Sequence, residues 1–234
     1  MAEHPIMVVS LTVPPEKVSE FDAFYQHRFL PAILRESPEV KAIRRYEEAA
    51  VSGTLRWYNK QFLTIYELES EEALEKVDDI FTRPALVDLI REFQQWKNNH
   101  LRNFSRISYL NSWTHERSPL DGAFGSRPIF IWAHEMKSEL DESFQDWYEN
   151  DYLPLQVADI PGWSACRRYK SVKRDSLRRL SIFEAADDEM LNRCLEDLRS
   201  DHRARENYEW QRRVEQAVTW QDAASFRITY RRPG

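Results

Sequence analysis

Apolar and polar positions along the chain follow one schedule twice. Ile6–Val13 and Ile129–Met136 are short runs, apolar on both faces and rich in strand formers, the pattern of a strand covered on both sides. A helical period follows each run, carried by Val18, Phe21, Phe24 and Tyr25 in the first copy and by Leu140, Phe144, Trp147 and Tyr148 in the second. Each helix is expected to stop near a proline, Pro31 or Pro154. Second strands are predicted at 40–46 and 163–169, third strands at 62–68 and 180–185, and last strands at 104–109 and 226–230, with a helical region before each last strand. In the first of these regions Pro84 marks a helix start, and Leu86, Leu89, Ile90, Phe93 and Trp96 mark one face. The order is βαββαβ, twice.

The repeat is visible residue by residue. Residues 5–46 align without a gap to 128–169, and twelve of the 42 pairs are identical, among them Phe21/Phe144, Tyr25/Tyr148, Pro31/Pro154, Arg44/Arg167, Arg45/Arg168 and Tyr46/Tyr169. Unrelated chains of ordinary composition would share about two or three. The match resumes with Leu63-Thr64-Ile65-Tyr66-Glu67 against Leu180-Ser181-Ile182-Phe183-Glu184, and again with Arg106-Ile107-Ser108-Tyr109 against Arg227-Ile228-Thr229-Tyr230. Between the copies, 110–127 contains Pro119, Asp121, Gly122 and Gly125 and reads as a linker.

A βαββαβ unit is the split βαβ, ferredoxin-like α+β arrangement, with helices on one face of its sheet and a second face that needs a cover. The expected architecture is therefore a first repeat at 1–109, a linker at 110–127 and a second repeat at 128–234, the two units packed sheet to sheet as a pseudo-dimeric α/β barrel closed within one chain. Further pairing of chains through the helices is compatible with this plan.

Composition narrows the function classes. The chain has 234 residues, 42% of them hydrophobic, with eight tryptophans and only five glycines, so aromatic surface must fill much of the interior. A formal charge of -6 repels nucleic-acid phosphates on average. Cys166 and Cys194 form no metal-ligand spacing, which argues against zinc and fits a reducing cytoplasm. The first residues show no secretory leader, and no apolar run reaches the 18 or so residues of a membrane span. Gly-rich phosphate loops, HExxH pairs and Ser-centred nucleophile elbows are absent from the sequence.

The segment from Phe144 through Trp147, Tyr148, Tyr152 and Pro154, followed by Ile160-Pro161-Gly162-Trp163 and Arg167-Arg168-Tyr169, resembles the dimeric α/β-barrel superfamily and, within it, the EthD-like branch. The first copy carries a weaker version. The resemblance implies the same fold and a range of chemistries: cofactor-free polyketide cyclases, dehydratases, monooxygenases, lyases and haem enzymes. Fold analogy does not choose among them. The branch commonly places a histidine two residues before the helix-ending proline, where this chain has Phe29 and Tyr152. Tyr152 can donate a proton and Phe29 cannot, so the second half is the better candidate for chemistry.

Three residues are singled out as catalytic candidates. His134 stands on the first strand of the second copy, on one face with Phe130 and Trp132, where the first copy has Leu11; a desolvated imidazole is a neutral base near pH 7. Tyr152 is the candidate acid and Arg168 the oxyanion partner, with Arg167 as the alternative. Trp132, Tyr148, Asp151, Arg167, Tyr169 and His27 are candidate substrate-binding residues: Tyr148 and Tyr152 share a helix face, and Arg167 and Tyr169 share a strand face with Ala165. Each has a structural alternative, as a hydrogen-bonded core histidine, a packing tyrosine, a structural ion pair or a solvated helix residue. His4, His100, His115 and His202 read as surface residues, and the basic run 170–179 as a solvated loop.

The function expected is a cofactor-independent cyclase, dehydratase or lyase that uses acid–base chemistry on a hydrophobic, oxygenated, polyketide-like small molecule, with no metal and no cofactor. A cofactor-free or haem-dependent monooxygenase and a non-catalytic small-molecule-binding or stress-response module are the alternatives.

Overall fold

The computed structural model describes residues 4–49, 60–117, 127–172 and 177–233. The chain divides into two compact units, the first holding 4–49, 60–110 and 228–233, the second 111–117, 127–172 and 177–227. The fold class is the α+β, ferredoxin-like one expected from the sequence.

In the first unit β1 (Ile6–Val13) lies between β3 (Lys60–Leu68) and β4 (Arg102–Glu116), antiparallel to both, and β3 pairs β2 (Val40–Glu48). α1 (Val18–Phe24), α2 (Leu30–Glu36), α3 (Glu71–Glu75) and α4 (Val87–Asn99) cover one sheet face. Met7, Val9, Leu11 and Val13 point into that layer, against Phe21, Tyr25, Phe29, Phe93 and Trp96. A bulge between Val40 and Ala42 shifts the alternation of β2, so that Val40 and Ile43 both join the helix side.

The second unit repeats this plan. β5 (Ile129–Met136) lies between β7 (Arg179–Ala185) and β8 (Val218–Pro233), and β7 pairs β6 (Trp163–Ser171), which carries the matching bulge between Trp163 and Ala165. α5 (Asp141–Trp147), α6 (Leu153–Asp159), α7 (Asp188–Leu198) and α8 (Ala204–Ala217) form its helix layer. Asp187 caps α7 by accepting from Met190 N at 2.8 Å. Gly162 precedes β6 in the Pro-Gly turn; a Cβ there would overlap Cys194 Sγ and the Met190 side chain, so the close approach of α7 requires glycine.

Two sequence expectations change. The helices do not stop at Pro31 and Pro154: each passes through one π-helical turn, Tyr25–Phe29 or Tyr148–Tyr152, and continues as α2 or α6 with the proline in its first turn. The wider turn carries the preceding carbonyls away from the proline ring, which lacks an N–H to bond them. The last strands are longer than predicted, and β4 takes up 110–116, which was read as linker. The alternating Trp113, Thr114 and His115 suit a strand, and the segment is tied to β6 by Asn111 Nδ2 donating to Arg168 O at 3.2 Å and Arg117 N to Ser164 O at 2.8 Å. The glycine-bearing remainder of the linker lies outside the described residues. Both arginines of each β2 or β6 pair are buried, although alternation puts them on opposite faces of the strand. Arg44 bonds Glu67 at 2.8 Å and Arg45 bonds Asp22, while Arg167 bonds Glu184 at 3.2 Å and also Glu116.

Candidate functional site

Strand alternation and the π-helical turn together build a cavity in the second unit. β5 sends Phe130 and Trp132 toward the helix layer, β7 sends Phe183, and β8 sends Gln221 and Ala223. From the helices come Tyr148 and Tyr152 in the π turn, Gln156 on α6, Leu198 on α7, and Asn207 and Trp210 on α8. The cavity is partly open to solvent and its volume is about 210 Å³. This is below the ~300–1,000 Å³ typical of drug-sized ligands, so the space suits a small ring system.

The walls are flat and aromatic. Tyr148 and Tyr152 stack with centroids 5.4 Å apart, and Trp132 meets Tyr148 at 5.3 Å and Trp210 at 5.6 Å with the rings tilted. The π turn matters here because the extra residue brings Tyr148 and Tyr152 onto one line facing the sheet, and such turns recur at functional sites. Trp132 Nε1 donates to Gln221 Oε1 at 2.9 Å and Asn207 Nδ2 donates to Leu198 O at 2.8 Å, so these two amides already have partners. Gln156 does not: it is 1% exposed, and neither Oε1 nor Nε2 has a protein partner. Leaving such an amide unsatisfied costs about 1–3 kcal/mol.

Around the cavity, burial holds the two tyrosines and His134 neutral. Burial pushes both the Tyr148 and Tyr152 phenols well above their ordinary range, so each stays protonated and can donate a hydrogen bond. Arg168 is fully buried beneath Tyr148, its guanidinium carbon 4.5 Å from the ring centroid. It donates to Ser181 Oγ at 2.9 Å and to Gln145 Oε1, with Glu149 at 3.4 Å. In the first unit the matching Arg45 meets the carboxylate of Asp22 where Arg168 meets the neutral Gln145. His134 is fully buried and lies flat against Trp132 at 3.8 Å, with no hydrogen-bond partner at either ring nitrogen. Burial, reinforced by Arg168 and Arg179, holds its pKa well below 6.5, so the imidazole is neutral.

Of the sequence candidates, Trp132, Tyr148 and Tyr152 line the cavity. His134 and Arg168 sit one layer behind it, screened by Trp132 and Tyr148. Arg167 and Tyr169 lie on the opposite face of β6, Asp151 is exposed, and His27 is exposed on the first unit; none of these four lines the cavity. The residues that sequence reasoning missed are Gln156, Phe183, Leu198, Asn207, Trp210 and Gln221. Gln156 had a signal: in the gap-free alignment it faces Ile33, which is completely buried. Residues from α7 and α8 had none, because the copies do not align there.

The first unit has a cavity of about 310 Å³ in the equivalent layer, lined by Val9, Tyr25, Phe29, Tyr66, Phe93 and Phe104 among others. Its buried hydroxyls satisfy each other, Tyr25 to Tyr66 at 3.0 Å. The outer histidines are in ordinary settings: His4 Nδ1 lies 3.0 Å from Leu68 O, His100 packs on Trp96 and His115 on Trp113. The basic run is less solvated than expected, since Arg178 pairs Glu135 and packs on Trp220 while Arg179 pairs Asp141. Among the described residues no group of three His, Cys, Asp or Glu side chains is placed to hold a metal ion, and no helix is long and apolar enough to cross a membrane.

No family model matches the chain, and no curated protein matches it. Solved structures share the fold over its whole length. An anthrone oxidase-like protein matches with a TM-score of 0.68 at 12% identity, covering 100% of this chain and 95% of its own. A "Putative monooxygenase" from Fusobacterium nucleatum matches at 0.61 with 9% identity, covering 100% and 96%. Another so described, from Lactobacillus acidophilus, matches at 0.56 with 13% identity, covering 99% and 97%. At these identities the likeness establishes a common ferredoxin-like fold, and the EthD-like assignment stays a resemblance of motifs.

Proposed function

We propose that the chain is a small-molecule enzyme working in the cavity of the second unit, where it moves a proton on a planar, hydrophobic, oxygenated ring substrate without a cofactor. One observation carries this reading. Where the first copy has Leu11, Phe29 and Ile33, the second has His134, Tyr152 and Gln156, and all three polar replacements sit in or directly behind one cavity. A duplication that only had to fold would not gather three polar groups at one point of one copy, two of them, His134 and Gln156, without hydrogen-bond partners.

In this reading Tyr152 donates a hydrogen bond to the substrate oxygen on which negative charge develops, and Arg168, acting through the Tyr148 ring, favours that charge. His134 is the proposed base. Because Trp132 lies between its ring and the cavity, proton transfer requires the indole to turn aside. The carbanion can then expel a β leaving group, as in dehydratases and lyases, or add to a carbonyl of the same molecule, whose oxygen takes up a proton, as in cyclases. A second reading, favoured by the fold shared with anthrone oxidase-like and monooxygenase-described proteins, is attack on dioxygen, converting a ring CH₂ and O₂ to a carbonyl and water. The haem alternative fits poorly, since the cavity is small for a macrocycle and His134 does not line it.

Anthrone is a suitable probe. Under nitrogen in D₂O, the protein is expected to accelerate exchange at the methylene carbon, and Tyr152→Phe to slow that exchange about 100-fold or more. Admitting oxygen separates the readings, because stoichiometric oxygen uptake supports the oxygenase and exchange without uptake the lyase-type enzyme. Binding without exchange contradicts both and supports a binding module.

A further inference from the structure

We infer that Gln156 selects the ligand: the second unit's cavity takes a neutral ring system that presents a hydrogen-bond donor and an acceptor side by side on one edge, as a lactam or an enolised hydroxy-ketone does. The inference rests on the reading of this cavity as the ligand site and adds the chemistry of the ligand's polar edge.

The carboxamide of Gln156 offers one acceptor and two donor hydrogens in a plane, and neither end has a protein partner although the residue is 1% exposed. The other two amides in the cavity wall are already engaged, Asn207 with Leu198 O and Gln221 with Trp132 Nε1. The fold does not demand an amide at this position, since the first copy fills it with Ile33 at 0% exposure. An unsatisfied amide that packing does not need, at the wall of an aromatic slot, is matched by a ligand edge that completes both of its bonds at once. The edge must be neutral as a whole. Among the described residues that line the cavity no side chain is a cation, so a carboxylate would enter without a direct ion-pair partner.

The test uses 2-quinolinone, whose lactam edge carries a donor beside an acceptor, and naphthalene, which has the same ring size and neither group. Binding is measured by calorimetry to the full chain and to Gln156→Leu. The ratio of the two affinities is expected to shift toward naphthalene by about 10- to 100-fold in the variant, the worth of two hydrogen bonds. The ligand-free variant should unfold at the same or a higher temperature, because the orphaned amide is gone. N-Methyl-2-quinolinone, which lacks the donor, should lose most of the advantage on the wild-type protein, and this measurement decides the matter even if the variant fails to fold. Naphthalene binding with an unmoved ratio, or undiminished binding of the N-methyl compound, overturns the role of Gln156 and leaves the cavity reading standing. If neither probe binds the wild-type protein, the cavity reading itself fails and takes this inference with it.

Discussion

Replacing His134 by leucine, the residue the first copy carries at the matching position, is expected to lower turnover about 10²–10⁴-fold while leaving the protein folded, the usual contribution of a positioned general base. The same change should alter the pH dependence of stability in a defined direction. In the folded chain His134 is held neutral, its pKa well below 6.5, by burial first and by Arg168 and Arg179 second. Below pH 6.5 the unfolded chain therefore takes up a proton that the folded chain refuses, and stability rises with pH through this window. The wild-type protein should lose up to about 1.4 kcal/mol per pH unit as the pH falls from 6.5 toward the folded-state pKa, and the leucine variant should lose correspondingly less. Chemical denaturation at a series of pH values reads the stability effect and anthrone exchange reads the turnover. Unchanged turnover would remove His134 from the mechanism, and a stability profile identical to that of the wild type would show that the imidazole is free to protonate in the folded state.

Separating the two copies at 118/119 should cost each of them a strand. β4 begins in the first unit and ends beside β6 of the second, held there by Asn111 and Arg117, and Arg167 takes one of its acidic partners, Glu116, from it. β8 likewise ends in the first unit, where Thr229 Oγ1 donates to Arg45 O at 3.3 Å. Fragment 119–234 therefore leaves the β6 edge open and Arg167 short of a carboxylate, and fragment 1–118 exposes the edge of β2. Each fragment alone is expected to be insoluble or to pair with itself, and mixing the two should restore a cooperative unfolding transition. Soluble monomers of either half with native-like unfolding would show that the repeats are independent domains.

The halves differ in how much of this was legible. The strand order and the aromatic helix face could be read because alternation and the 3.6-residue period are local properties of the sequence. The π turns could not, since proline signals a stop, and only the backbone shows that a wider turn before Pro31 and Pro154 removes the conflict. The linker was misread for a related reason: 110–116 has weak strand character by itself and becomes a strand beside β6. Around the cavity, the grouping of Trp132, Tyr148 and Tyr152 was legible because aromatic spacing places them on shared faces. His134 and Arg168 lie one layer behind the cavity, against Trp132 and Tyr148, a depth that no period encodes. Gln156 was overlooked because an amide has no motif, though its pairing with Ile33 was in plain view. Trp210 and Asn207 reach the cavity from α8, whose register against the sheet depends on tertiary packing alone.

The most direct measurement is a crystal structure of the full chain soaked with 2-quinolinone. The account predicts the ring inside the second unit between Trp132, Tyr152 and Trp210, with its lactam edge on Gln156. The probe bound in the cavity of the first unit, or on the surface with the second cavity closed to it, would contradict the assignment of the second unit as the working half.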